Sequence, residues 1–145
     1  MSHPPGILER MFDNRGELRG WDVVHTRLPV DVKGVCDFQA KRITLDVDLL
    51  EVEARCTLAH ELLHAMRGPV PANPVLAARE ERQVEQQAAR RLIPLGALIE
   101  ALKWSRRHSE VAEALGVDEG MLGARVDGLE ACELQAVEEA ISAWL

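Results

Sequence analysis

Apolar and polar positions follow two different periods along this chain. Between Arg42 and Val47, Ile43, Leu45 and Val47 alternate with Arg42, Thr44 and Asp46, the period of two that marks a half-buried strand. Two further β-rich runs precede it, Trp21 to Leu28, which ends at Pro29, and Gly34 to Phe38. Gln39, Ala40 and Lys41 then form the hairpin turn of a small antiparallel sheet. Arg42 to Val47 is read here as an edge strand able to accept an extended peptide, with an ordinary core strand as the alternative.

From Val52 onward the period changes to that of a helix. Leu58, Leu62, Ala65 and Met66 form one apolar stripe over Val52 to Arg67, and Gly68-Pro69 stops it. The proline-rich stretch Pro69 to Pro74 cannot continue a helix. A second helix is predicted from Val75 to Ile93, with Ala77, Val84, Ala88 and Leu92 facing the core. Leu95 to Lys103 gives a third, short and apolar, with Trp104 packed at its end. Val111 to Asp118 resembles the first helix and turn of a helix-turn-helix, with Leu122 at a packing position. The last helix, Glu130 to Trp144, carries Leu134, Val137, Ile141 and Trp144 on a stripe that suits either a core cover or a dimer contact.

These elements define an α+β fold: a small antiparallel N-terminal sheet packed on the first helix, followed by a helical C-terminal extension. Residues 1–104 are assigned to the first unit and residues 105–145 to an acidic, helix-turn-helix-like extension packed on the same domain. A chain of 145 residues, 47 % of them hydrophobic, is long enough to bury a core of its own. Met1 to Gly20 has no apolar run of the kind a secretion signal needs, and suits at best a short helix. No apolar stretch reaches the 18 residues of a membrane span. Cys36, Cys56 and Cys132 are an odd, scattered set, which points to reduced thiols and a cytoplasmic setting.

Charge changes the picture for the extension. The chain carries a formal net charge of −7, and from His108 to Leu145 nine acids face Arg125 alone. DNA binding depends on neutralising phosphates, so this balance disfavours DNA and favours packing on the first unit or docking a basic partner.

The chemistry is concentrated in His60-Glu61-Leu62-Leu63-His64. Histidines four apart on a helix stand on one face, about 5 to 6 Å apart at Cβ, so two imidazoles can hold one metal ion. One Zn2+ per chain, bound by His60, His64 and a third ligand, would leave a coordination position to water, and Glu61 is placed to take that water's proton. Cys56 is excluded as the third ligand. It stands eight residues from His64, an axial rise of about 12 Å, and reads as a small core residue.

The third ligand is sought on the next helix. Glu81 falls roughly 25° from the centre of its apolar stripe, with Glu85 about 65° and Glu80 about 75° away. A carboxylate in a core-facing stripe needs a partner, and a metal ion provides one. Glu81 is therefore the assigned ligand. Glu85 is placed as an acceptor for the free N–H of a ligating histidine, and the two glutamates can exchange roles. The competing reading puts both in a solvated cluster with Arg79, Arg82, Arg90 and Arg91. The chain has no tyrosine to stabilise an oxyanion; His25 and His108 are read as surface or packing residues, outside the catalytic set.

Three segments, taken together, resemble the ImmA/IrrE metallopeptidases: Thr57 to His64, Glu81 to Glu85, and Ala88 to Pro94. They are similar to that family's metal helix, its downstream Glu-x-x-x-Asp/Asn helix and its Ala-rich helix ending in Leu-x-Pro, over about Ile43 to Leu129. The resemblance implies a gluzincin-like zinc site with His60, His64 and Glu81 as ligands and Glu61 as base. It also implies cleavage of an intracellular helix-turn-helix repressor of a phage, mobile element or stress regulon. Leu63 stands where many members of that family have glycine, and Glu85 where Asp or Asn is commoner. From a different class comes a non-catalytic, zinc-containing regulator that binds a repressor or DNA through the C-terminal segment; a third reading is a structural protein without metal.

Overall fold

A computed structural model describes residues 18–144 of the chain. The expected short helix in Met1 to Gly20 falls almost wholly outside them. Three strands, β1 (Asp22–Thr26), β2 (Gly34–Asp37) and β3 (Arg42–Asp46), are followed by six helices. These are α1 (Glu51–Arg67), α2 (Pro74–Leu92), α3 (Leu95–Trp104), α4 (His108–Leu115), α5 (Glu119–Asp127) and α6 (Ala131–Trp144). The α+β class with a helical C-terminal part is as the sequence pattern requires.

The sheet departs from expectation in one respect that matters for function. Its order is β1-β3-β2, so Arg42–Asp46 is the central strand and cannot accept a peptide at its edge. β2 and β3 form the anticipated antiparallel hairpin, with Cys36 opposite Ile43, but β1 joins the other side of β3 in parallel, His25 opposite Leu45. The sheet is mixed. Alternation told which side chains of β3 are buried, and Ile43 and Leu45 are at 0 % and 2 % exposure; it could not tell which strand lies beside it. Val47 falls one residue past the strand and is exposed.

Local chemistry sets the element ends. The β2–β3 turn is built on Asp37, whose Oδ1 accepts the N–H groups of Gln39 and Ala40 at 3.0 and 3.1 Å, as short acidic side chains do in turns. Gly68 takes φ 99, where a side chain would be strained, and its N–H closes α1 on the His64 carbonyl at 2.9 Å. Asn73 caps α2 by accepting from Val75 and Leu76 N–H, with Pro74 in the first helical position.

The sheet rests on α1, and α1 packs across α2. Between them lie Ile43, Leu45, Ala59, Leu62, Leu63, Val84 and Ala88, all essentially without exposure. Each large aliphatic side chain in that layer contributes about 1.5–3 kcal/mol by leaving water, and together they fix how α1 and α2 face one another. Cys56 is buried among them as a core residue should be.

The helical extension is continuous with this core. α5 packs on α2, α4 on α3 and α6 on α3. Val111, Ala112, Val117 and Leu122 are buried, and Gly116, at φ 68, makes the left-handed turn that ends α4. Two expectations change here. Trp104 does not pack at the end of α3 but is 69 % exposed, and of the α6 stripe Val137 is buried while Leu134 and Trp144 are not. Trp144 instead lies under the Lys103 ammonium, 5.8 Å from its ring centre.

Arg125, the one arginine or lysine after His108, is not a surface residue. It is 2 % exposed, donates from Nε to the Ile93 carbonyl at 2.8 Å and pairs with Glu133 at 3.3 Å. Its Nη1 has no hydrogen-bond partner among the described residues. Arg90 grips the same carboxylate from two sides, at 2.8 and 2.9 Å. Glu133 thus ties α6 to both α2 and α5, and these hydrogen bonds hold its carboxyl down at about 2, first through Arg90.

Candidate metal centre and cleft

α1 carries His60 and His64 on one face, and the α1–α2 packing brings Glu81 over them. His60 Nε2 and His64 Nε2 are 3.2 Å apart. Glu81 Oε2 lies 3.3 Å from the first and 3.1 Å from the second. These three atoms, one from each residue, form a group that could hold a metal ion. A tetrahedral ion about 2.0–2.1 Å from each ligand sets its ligand atoms about 3.3–3.4 Å apart, close to the spacing found. The donors are two imidazoles and one carboxylate, a set that suits a divalent ion such as zinc and leaves a position open.

The surroundings keep the imidazole of His60 neutral. Burial pushes its pKa down, His64 adds to this, and Glu81 and Glu85 oppose it. A neutral ring is the form that ligates. Glu81 is itself about half exposed, at 47 % of its side chain, so the centre opens to solvent on the α2 side.

The three neighbouring acids of α2 separate into three roles. Glu80 pairs with Arg67 at the end of α1, through contacts that include Arg67 Nη2 to Oε2 at 3.0 Å, and this ion pair pins the helices together. Glu81 meets the histidines. Glu85 does not: among the described residues it accepts no hydrogen bond from either imidazole, and it lines the adjoining cleft instead. The helical wheel put Glu81 nearest the apolar stripe, yet its side chain is 47 % exposed against 20 % for Glu80, because Glu80 turns to Arg67.

Glu61 projects from α1 beside the histidines and is 8 % exposed. Burial raises its carboxyl pKa, opposed by His64 and reinforced by Glu81. It stands on the wall of a cleft of about 620 Å³ that also touches His60, Thr57 and Glu85. β2 forms the facing rim. A Cβ on Gly34 would lie 2.7 Å from Thr57 Cγ2 and 3.1 Å from Glu61 Cγ, so only glycine lets the strand approach this closely. Sequence reasoning passed over Gly34, because a glycine at the start of a short strand has no signal of its own.

The far wall of the cleft comes from the extension: Asp118, Gly120, Met121 and Ala124. The helix-turn-helix-like segment is therefore part of the cavity beside the histidines. His25 and His108 do not line the cleft. Cys36 faces α1 from β2, and its thiol is pushed up to about 12 by burial first and then by Glu61 and Asp37, which keeps it protonated.

A family model described as the IrrE N-terminal-like domain, peptidase family M78, matches residues 17–127. It runs from just before β1 to the end of α5, across both walls of the cleft. No curated protein and no solved structure matches the chain.

Proposed function

We propose, since the chain belongs to the IrrE N-terminal-like family of peptidases, that it is a zinc-dependent endopeptidase with His60, His64 and Glu81 as metal ligands and Glu61 as general base. The observation that carries this reading is the triangle of Nε2, Nε2 and Oε2 atoms at 3.1–3.3 Å, with a buried carboxylate next to it on a cleft.

When bound, the metal supplies a Lewis acid for the scissile carbonyl and an activated water. The chain's own residues do the rest. Glu61 accepts a proton from the attacking water and returns one to the leaving amine, and its burial raises its basicity for that task. Among the described residues β2 has β3 as its only neighbour in the sheet and lies against the base, so the edge strand offered to an extended substrate is Gly34–Asp37.

The substrate we propose is an intracellular protein of the helix-turn-helix repressor type, cut in the cytoplasm. No helix among the described residues is long and apolar enough to cross a membrane, and Cys36, Cys56 and Cys132 are unpaired, as a reducing compartment requires. The burial of Arg125 favours this over a regulator that contacts DNA through α4 and α5, because it withdraws that segment's one cation from the surface.

The test is the intact mass of the nearest encoded helix-turn-helix protein after co-expression with this chain or with its Glu61→Gln form. Two defined fragments with the wild type and none with the variant are expected. Co-purification without cutting by either would move the assignment to a binding regulator.

A further inference from the structure

The helix-turn-helix-like segment is tied to the metal helix at its turn. Arg55 of α1 donates from Nη1 to the Gly116 carbonyl at 2.8 Å and to that of Leu115 at 3.4 Å. Its neighbour Cys56 meets Asp118 through both the backbone and the side chain of that acid. Arg90 of α2 holds the other end of α5, donating to the Gly128 carbonyl at 2.9 Å. α5 is therefore fixed at both ends to the two helices that carry the histidines and Glu81.

The space this leaves is shared with the base. Glu61 is 8 % exposed, accepts no hydrogen bond among the described residues and lines the same cleft as Gly120, Met121 and Ala124 of α5. A buried carboxylate turned to a cleft with no hydrogen-bond partner marks where a ligand's polar group arrives. A peptide bond brought there along β2 carries its neighbouring side chain into the space that α5 walls.

The chemistry of that wall is apolar. Asp118 is already engaged, capping α5 through the Met121 N–H at 2.7 Å and meeting Cys56. What α5 adds beyond it is the Met121 thioether, whose flexible chain adapts to apolar partners of different shape, and the bare backbone and methyl of Gly120 and Ala124, four apart on one face. At about 620 Å³ the cleft falls within the roughly 300–1,000 Å³ of binding pockets, enough for a bulky side chain beside the peptide backbone.

We propose that α5 is the specificity wall of this peptidase, and that Gly120, Met121 and Ala124 select a large apolar side chain next to the bond to be cut. The inference rests on the peptidase reading above and names its substrate class.

Random decapeptides retained by the immobilised Glu61→Gln chain test the pocket by binding alone. Leucine, methionine and phenylalanine should be enriched at least about tenfold over alanine and glycine, the lower end of what one methylene is worth in a hydrophobic pocket. A Cβ at Gly120 would meet only Asp118 Oδ1, at 3.4 Å, an ordinary contact, so a longer side chain can stand there without moving the backbone. Adding Gly120→Leu or Ala124→Leu should therefore abolish the enrichment and move retention towards alanine and glycine, with helical circular dichroism unchanged. Retention without excess of large apolar residues, or an excess that survives both leucine variants, overturns the proposal. Gly120→Ala, a smaller step that favours the helix, should lower the enrichment in the same direction and decides the matter if a leucine variant does not fold. Cleavage of the same library by the zinc-loaded wild-type chain is scored separately by mass spectrometry. Cuts with no large apolar residue beside them overturn this inference and leave the peptidase standing, whereas apolar peptides retained but never cut do the reverse. A chain that neither retains nor cuts any peptide overturns both.

Discussion

His64 Nε2 lies 3.1 Å from Glu81 Oε2, an atom of a residue seventeen positions further along and on a different helix. The contact exists because Arg67 and Glu80 clamp the end of α1 to the start of α2, and because Leu62, Leu63, Val84 and Ala88 leave no slack between them.

Removing that oxygen should remove the metal. Glu81→Ala is expected to purify with little or no zinc while keeping the wild-type helical circular dichroism, since Glu81 is half exposed and holds no core contact. Glu85→Ala should retain its metal, weakened by no more than the roughly 10–100-fold typical of outer partners. Elemental analysis of the purified chains decides between them; full zinc occupancy in Glu81→Ala would take this residue out of the ligand set.

Gly34 sets the distance between β2 and Glu61. Gly34→Ala should leave metal content intact and depress turnover, because its Cβ needs the space of Thr57 Cγ2 and Glu61 Cγ. Thr57→Ser removes the closer of those atoms and should restore part of the loss in the double variant. A Gly34→Ala chain with wild-type turnover would show that the strand can retreat at no cost to Glu61.

Arg125 holds the extension to the core. Arg125→Ala should destabilise the chain by about 3–5 kcal/mol, the range for breaking a buried pair and orphaning its partners. Arg125→Met should cost less: Glu133 keeps Arg90 in both variants, and only the alanine also leaves a cavity. Urea unfolding of the two variants measures the difference, and equal losses would mean that charge rather than packing dominates the site.

Glu133 makes stability sensitive to acid. Its carboxyl titrates near 2 in the folded chain against an ordinary value of 4.5, so the folded state prefers it ionised. The stabilisation is fully present above the ordinary value and is lost as pH falls from about 5 towards 2. Thermal unfolding midpoints should therefore drop more steeply over that range in the wild type than in Glu133→Gln. Parallel slopes would remove Glu133 as a source of the acid sensitivity.

Much of this arrangement is legible in the sequence where a local period carries it. The spacing of His60 and His64 fixes their common face, and the helical wheel places Glu81 nearest the core-facing stripe of α2, where the structure has it meeting both imidazoles. What stays hidden depends on neighbours that no period encodes. Alternation at Ile43 and Leu45 shows burial but not that β1 would pair in parallel beside β3 and make it central. Charge made Arg125 look like a surface residue, although it follows Met121 and Leu122 by four and three positions and so shares their buried face. Trp104, large and apolar, is 69 % exposed at the last position of α3, which no period along the helix encodes.

The central claim is that a metal held at His60, His64 and Glu81 serves a hydrolysis whose proton is handled by Glu61. It is tested most directly by the rate at which Glu61→Gln cuts a peptide that the wild-type chain cuts, measured at matched zinc content. A fall of about 10²–10⁴-fold, the range for losing a positioned general base, is the predicted result. An unchanged rate at the same metal occupancy would contradict it.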